Sequence, residues 1–438
     1  MITKGITEIF ILDIDLTLFD DEQVINTTTS PGLSAAMKTF YSDYLIDNAE
    51  PLLVHDQWAQ EHDIPKNGGK TIEFRRYSPL AKALTPLVEG VTPAGNTLSL
   101  TTLTATVEQY GDYIRVSDIL QLTAIDNQLM IATELLGSQA GRTLDTISRE
   151  TLAGGHNRIF AGNKLARHLL VGGSSTATDN CYLTVDEIKR AARFLKVMNA
   201  TPIDGDFVAI IHPDISYDLT NDPNWKDPHK YVDTENMYNG EIGKIHGVRF
   251  VETTEAKKFV APPLIAATDS TDAVRNLTIA ATLSSPGKTV TLNETLTEAQ
   301  ATALVGRKII LANKQYTIKS ATATDGLTAA SLTVADADDN ISTTDGQEDA
   351  VIYPGEAGAE GRDVYAVIVL AKNAYGTTKL TGGGLEHIYK PLGSAGAADP
   401  LNQRATVGWK ATKVTKRLVE EFMVRIECTS TFNDHEPN

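Results

Sequence analysis

His212, Pro213 and Asp214 follow the apolar run FVAII, at the strand end where α/β proteins place site residues. The competing reading is a strand-ending turn fixed by the proline. The other histidines (His55, His62, His156, His168, His229, His246, His387 and His435) are scattered, and none forms an i, i+4 pair around a general-base glutamate. Cys181 and Cys428 match no zinc spacing and cannot build a disulfide framework, so a reducing compartment is the simpler reading. AGNK and NGGK lack the full glycine–lysine spacing of a phosphate loop. ADADDN (Ala335 to Asn340) lacks the glycine and terminal glutamate of a calcium loop. The serines have no nucleophile-elbow context, and Gly382 to Gly384 mark a bend or a tight backbone contact.

One motif is sharper. EIFILDIDLTLFDD contains Asp13-Ile14-Asp15-Leu16-Thr17 after an apolar run, the D-x-D-x-T signature of haloacid-dehalogenase-like phosphatases. That resemblance implies a nucleophilic Asp13, a proton-handling Asp15 and a magnesium ion beside them. A phosphatase also needs a following α/β domain with a Ser or Thr, a Lys and a second acidic pair. Here a threonine-rich linker, a short helix and a proline-laden segment follow instead. An acidic, partly apolar N-terminal arm is the better reading, with no catalytic residue, cofactor or metal expected.

The elements that would have to position any site point elsewhere. Between the strand-like runs KTIEFRRY (Lys70 to Tyr77) and LTATVEQYGDYIRVSD (Leu103 to Asp118) lies an arm, Ser78 to Thr102, with Pro79, Pro86 and Pro93 along it. The prolines forbid a helix interior, and the apolar residues keep neither period. A structureless loop of this size inside a compact domain is improbable, so its partner surface is expected on another molecule.

From Ile125 to Ala153, apolar residues recur near a 3.6-residue period, predicting a rod of roughly 40 Å ended by Gly154 and Gly155. Thr184 and Glu187 have capping-box spacing before another helix. FVAII and HGVRFVET read as strands. From Ala261 to Ile352 the chain becomes rich in Thr, Ala and Asp, with short alternating runs and one helical turn at TEAQATAL, predicting an inserted β-rich domain. RATVGWKAT and LVEEFMVRIECTS form closing strands, joined by a basic turn around Lys413, Lys416 and Arg417. The net charge of −17 argues against a dedicated nucleic-acid binder. No stretch reaches membrane-helix length, and no secretory signal is expected.

EPLLVHDQWAQEHDIPKNGGKTIEFRRYSPL, TPLVEGVTPAGNTL, QYGDYIRVSD, ELLGSQAGRTLDTISRETLAGG, YNGEIGKIHGVRFVETTEA and PLNQRATVGWKATK together resemble the major capsid protein of short-tailed (podovirus-type) bacteriophages, in collinear order. The resemblance implies an α+β, HK97-like fold: an N-terminal arm and short helix at 1–64, an E-loop hairpin at 65–118 and a spine helix at 119–156. An axial domain at 157–260 would be interrupted by the inserted domain at 261–352 and resume at 353–400, with peripheral-domain strands at 401–438. It implies a shell protein of double-stranded DNA phage, not an enzyme. It would assemble with itself into hexamers and pentamers, and meet a portal and scaffolding or decoration proteins. Packaged DNA would be touched only non-specifically and no membrane at all. It would assemble in the host cytoplasm and reside in the virion. A surface-binding role carried by the insertion is an alternative. Inter-subunit contacts are expected from the arm: Leu84, Leu87, Val88, Val91 and Leu98 by burial, Arg75, Arg76 and Glu89 by charge. Lys82 lies in the arm, but no catalytic glutamate is evident beside it, so no crosslink is expected.

Overall fold

The computed structural model describes residues 53–437 and Ile25–Asn26, except 64–69, 124–127, 174–179, 226–242, 268–272, 280–288, 312–313, 326–328, 335–350, 380–384, 395–398 and scattered positions between 78 and 94. The expected N-terminal helix and the Asp13/Asp15 motif lie outside the described residues. Strands and helices are mixed in an α+β arrangement, with a parallel neighbouring pair, Phe207–Ile211 and Val248–Glu252, that has a helix between its strands in sequence. The described chain divides into two compact units, one built from 109–141 and 381–411, the other from 53–108, 142–380 and 412–437.

In the first unit, strands run in the order Ile25–Asn26, Glu108–Ser117, Arg404–Lys413 and Leu385–Lys390. Helix α1 (Asp118–Thr123), which the sequence reading missed, follows directly on the second of these. Helix α2 spans Gln128–Ala153 among the described residues and contributes to both units. Its first half is tied to the sheet by Gln139, whose side chain donates to Asp112 (2.7 Å) and accepts from Trp409 Nε1 (3.2 Å).

The second unit is organised by a seven-stranded sheet. Its main path runs Arg158–Phe160, Met423–Cys428, Val364–Leu370, Phe207–Ile211, Val248–Glu252, Lys244–Ile245. VYAVIVL and FVAII do not alternate because both faces of their sheet are covered. Ala209, Ile211, Val367 and Val369 pack with helix α3 (Val185–Val197) and helix α4 (Pro213–Asn221). Ile210, Ile368 and Leu370 point the other way, into a cluster with Leu152 of α2 and Tyr375. Thr184 does cap α3 by position, but its hydroxyl bonds the Glu187 carboxylate rather than a backbone N–H.

The closing strands part company. Arg404–Lys413 pairs with Leu385–Lys390, whereas Met423–Cys428 sits beside Val364–Leu370. The two closing strands thus belong to different sheets. Every residue of MVRIEC is buried: Met423, Val424, Ile426 and Cys428 join apolar clusters, and Arg425 and Glu427 pair with each other. The expected basic turn is corrected. Lys413 is buried and bonds Asp56, and Thr415–Arg417 is a strand against Tyr375–Thr378.

Between residues 264 and 354 a six-stranded antiparallel sheet runs Leu277–Thr278, Val351–Pro354, Lys308–Leu311, Lys314–Thr322, Ser331–Val334, Thr289–Thr291. It has its own core around Leu277, Val290, Ile309, Ile318 and Leu332, closed by helix α5 (Glu298–Leu304). Arg307 ties its neck, donating to the carbonyls of Pro262 (2.8 Å) and Pro263 (2.7 Å) and to Glu356 (3.1 Å).

Candidate functional site

A catalytic reading has one serious test among the described residues. His55 Nδ1 lies 2.6 Å from Asp145 Oδ2, and Ser148 stands one helical turn along α2. The three residue types are those of a charge-oriented nucleophile. The geometry is not. Ser148 Oγ donates to Asp56 Oδ1 (2.6 Å), not to the histidine, and His55 Nε2 is buried without a hydrogen-bond partner. All three side chains are sealed from solvent, so no substrate reaches them.

The group is a clamp instead. The His55 N–H donates to Asp145 Oδ1 (2.7 Å), the Tyr375 hydroxyl donates to the His55 carbonyl, and Lys413 binds Asp56. These bonds fix residues 55–56 against α2 and the C-terminal strands. Ninety residues separate His55 from Asp145, which is why no local motif announces the pair.

His212 also has a structural role. It caps α4, its Nδ1 accepting from the Asp214 N–H (3.2 Å), with Pro213 at the first helical position. Burial holds its pKa below the usual histidine range despite Asp214. Asp214 accepts from the Tyr365 hydroxyl (2.6 Å), and burial together with that carboxylate pushes the phenol's pKa up. Among the described residues no cluster of His, Cys, Asp and Glu could hold a metal ion.

The arm is where the structure departs from an ordinary core. Thr71–Tyr77 and Leu100–Thr106 pair antiparallel from Thr71↔Thr106 to Tyr77↔Leu100, a two-stranded ribbon with no third strand among the described residues. Its base is anchored. Ile72, Phe74, Ala105 and Val107 are buried together against Val414 and Leu418. Phe74 fits because Gly376 has no side chain, since a Cβ there would stand 2.5 Å from the ring. The His62 ring meets Phe74 edge-on, with centroids 4.8 Å apart.

Past Tyr77 and Leu100 the packing stops. Leu84 is 83% exposed, Leu98 73%, Leu80 55% and Leu100 45%. Among the described residues of the tip, the only backbone hydrogen bond runs from Leu84 N–H to the Lys82 carbonyl (3.1 Å). Of the expected contact residues, Arg75, Leu84, Glu89 and Leu98 are exposed, and no described partner pairs with Arg75 or Glu89. Arg76 is in register with Thr101, but its side chain is outside the described residues, as are Leu87, Val88 and Val91.

A second exposed apolar line was not foreseen. On α1, Ile119 (63%) and Leu122 (83%) are exposed, and on α2 so are Ile131 (42%) and Leu135 (61%). Leu129, Ala132 and Leu136 of α2 are buried, as the periodicity predicts. The signal was the neighbouring i, i+4 pair Ile131/Leu135, an apolar line wider than one buried face requires.

Residues 121–313 match the family model described as phage capsid protein. No curated protein matches the chain. Among solved structures it is similar to the capsid of cyanophage P-SCSP1u, with 12% identity over 85% of this chain and 87% of that one and a TM-score of 0.46. The capsid of Ralstonia phage GP4 gives 12% identity, 87% of each chain and 0.45. The cyanophage Pam1 capsid gives 13% identity over 96% of this chain and all of that chain, at 0.45.

Proposed function

We infer that this chain is a tailed-phage major capsid protein, a structural protein of the virion that associates with itself to form the shell and is not an enzyme. The observation that carries the reading, beside the family match, is the arm. Its ribbon is anchored at the base by Phe74, while its tip offers Leu80, Leu84 and Leu98 to no surface of the described chain. Fully burying one such side chain is favourable by about 1.5–3 kcal/mol. Repeated over every copy in a shell, that term favours assembly strongly.

The finer assignments follow the HK97-like reading. Residues 65–118 act as the E-loop, lying across a neighbouring subunit, with Arg75, Arg76 and Glu89 as its charged contacts. α2 serves as the spine helix, and the seven-stranded sheet is the main body of the axial domain. The six-stranded sheet is a domain inserted into that body. Copies assemble as hexamers and pentamers around double-stranded DNA in the host cytoplasm, with a portal and scaffolding or decoration proteins as further partners. Obligate contacts of this kind bury more than about 2,000 Å².

Electron microscopy of the purified full chain tests the reading. Closed shells, capsomers or curved sheets are expected under assembly conditions. Small monodisperse particles at every concentration and salt tried would reject it.

A further inference from the structure

The edge of the seven-stranded sheet carries a cluster of arginines that its own carboxylates do not balance. Strand Arg158–Phe160 lies parallel to Met423–Cys428, with Arg158 in register with Arg425 and Phe160 with Glu427. Glu427 is buried and accepts from Arg425 Nε (2.8 Å) and from Arg167 Nε (2.6 Å) and Nη2 (2.9 Å). Among the described residues it is the only carboxylate that pairs with either of these arginines. Arg158 is exposed and makes no side-chain hydrogen bond or ion pair among the described residues; its guanidinium lies 5.8 Å from the centroid of the Phe160 ring.

The network beside the cluster shows what balance looks like. There Arg149 and Lys257 face Glu150 and Glu255, two cations against two anions. Phe259 joins the two groups, with Arg167 stacked 3.4 Å from its centroid, Lys257 at 5.5 Å and Arg425 at 5.6 Å. Stacking accounts for Arg167, and Glu427 accounts for Arg425. Neither accounts for Arg158. Like charges at paired positions of neighbouring strands destabilise a sheet. Burial, together with Arg167 and Arg158, holds the pKa of Arg425 below the usual arginine range against the pull of Glu427.

Three guanidinium groups against one carboxylate leave an excess of two positive charges. The cluster is open on one side: Arg158 is exposed and Arg167 is 26% exposed, over a floor of buried Arg425 and Glu427. A single carboxylate would supply one charge and two oxygens. A phosphate group supplies up to about two charges and at least three acceptor oxygens, and guanidinium forks match that geometry. A nucleic-acid backbone supplies one charge per phosphate and brings many more to a chain of net charge −17. We propose that Arg158, Arg167 and Arg425 form the binding site of a phosphate dianion. The site lies within one chain, so the inference does not rest on the shell reading.

The test is isothermal titration calorimetry of the full chain with inorganic phosphate at constant ionic strength, with thermal melts in chloride alongside. Saturable binding is expected. Arg158→Gln should weaken it about tenfold or more, and Arg158→Lys should fall between, keeping the charge but losing the fork. In chloride, Arg158→Gln should melt no lower than the unsubstituted chain, because it loses a like-charge neighbour. A clearly lower melt would show that Arg158 already has a partner, and would overturn the proposal. Equal phosphate affinity in the two chains overturns it as well. So does sodium glutamate binding as tightly as phosphate, which would identify a carboxylate as the occupant, or duplex DNA displacing phosphate from the site, which would identify a nucleic-acid backbone. Adenosine monophosphate separates the remaining sources. Binding at least as tight as inorganic phosphate supports the site with a phosphate monoester as ligand, and weaker binding supports it with the free ion.

Discussion

The arm and the six-stranded sheet are both antiparallel β-structure, yet they treat their apolar residues in opposite ways. In the sheet, Leu277, Val290, Ile309, Ile318 and Leu332 turn inward and α5 covers them. In the arm only the base does this, and the leucines of the tip face outward. A two-stranded ribbon has too little surface to close a core on itself, whereas six strands and a helix have enough. The difference separates a part whose core is closed from a part whose apolar tip has no covering surface among the described residues. On the proposed capsid reading, the exposed part is the one that assembles.

The largest expected effect comes from breaking the arm. Leu84→Ser with Leu98→Ser should abolish shell formation in electron micrographs. The melting temperature of the unassembled subunit should stay where it is, because exposed substitutions rarely change stability by more than about 0.5 kcal/mol. Deleting 267–349 and joining the ends with a short linker should do the reverse, leaving shells intact. Arg307 already closes the neck around Pro262, Pro263 and Glu356. Shells that survive the leucine change but not the deletion would invert the comparison.

Two core truncations of similar size sharpen it. Phe74→Ala removes the ring seated against Gly376 and should cost about 3–5 kcal/mol in denaturant unfolding. Leu332→Ala in the six-stranded sheet should cost about 2–5 kcal/mol. Amide exchange distinguishes them. The first should release protection across 71–77 and impair assembly, the second should release it across 308–334 with assembly preserved.

How much of this was legible beforehand follows the range of the interactions. Pro79, Pro86, Pro93 and an aperiodic apolar pattern are local, so the arm was readable as unpartnered. TEAQATAL carried its own capping residues, and α5 formed there. The His55–Asp145 clamp joins residues remote in the chain, and neither flank hints at it. Lys413 read as part of a basic turn with Lys416 and Arg417, because nearby cations in sequence are usually solvated together. Asp56, far away in sequence, makes its burial tolerable.

Acid should act on the body that carries both regions. Glu427 is buried, which opposes its ionisation, but Arg167 (2.6 Å) and Arg425 hold its pKa below the usual carboxylate range. A lowered folded-state pKa adds stability above the unfolded value, about 4.3, and that stability is lost as pH falls through the folded pKa. Unfolding at pH 3 to 5 should therefore show a contribution from this group that Glu427→Gln removes. An identical pH dependence in the variant would reject the assignment.

The smallest effect probes how self-sufficient the six-stranded sheet is. Thr297 and Gln300 form a reciprocal capping box at the start of α5: the Gln300 N–H donates to Thr297 Oγ1 (3.3 Å) and the Thr297 N–H to Gln300 Oε1 (2.9 Å). Thr297→Ala should cost about 1 kcal/mol. Because Ala301 and Leu304 of α5 are buried in this part of the chain, the loss should appear as faster amide exchange in 308–334 and nowhere in 71–106. Exchange that rises in both would mean that the two regions unfold together. The contrast between a part closed on itself and a part open to a partner would then be one of surface only, and not of folding.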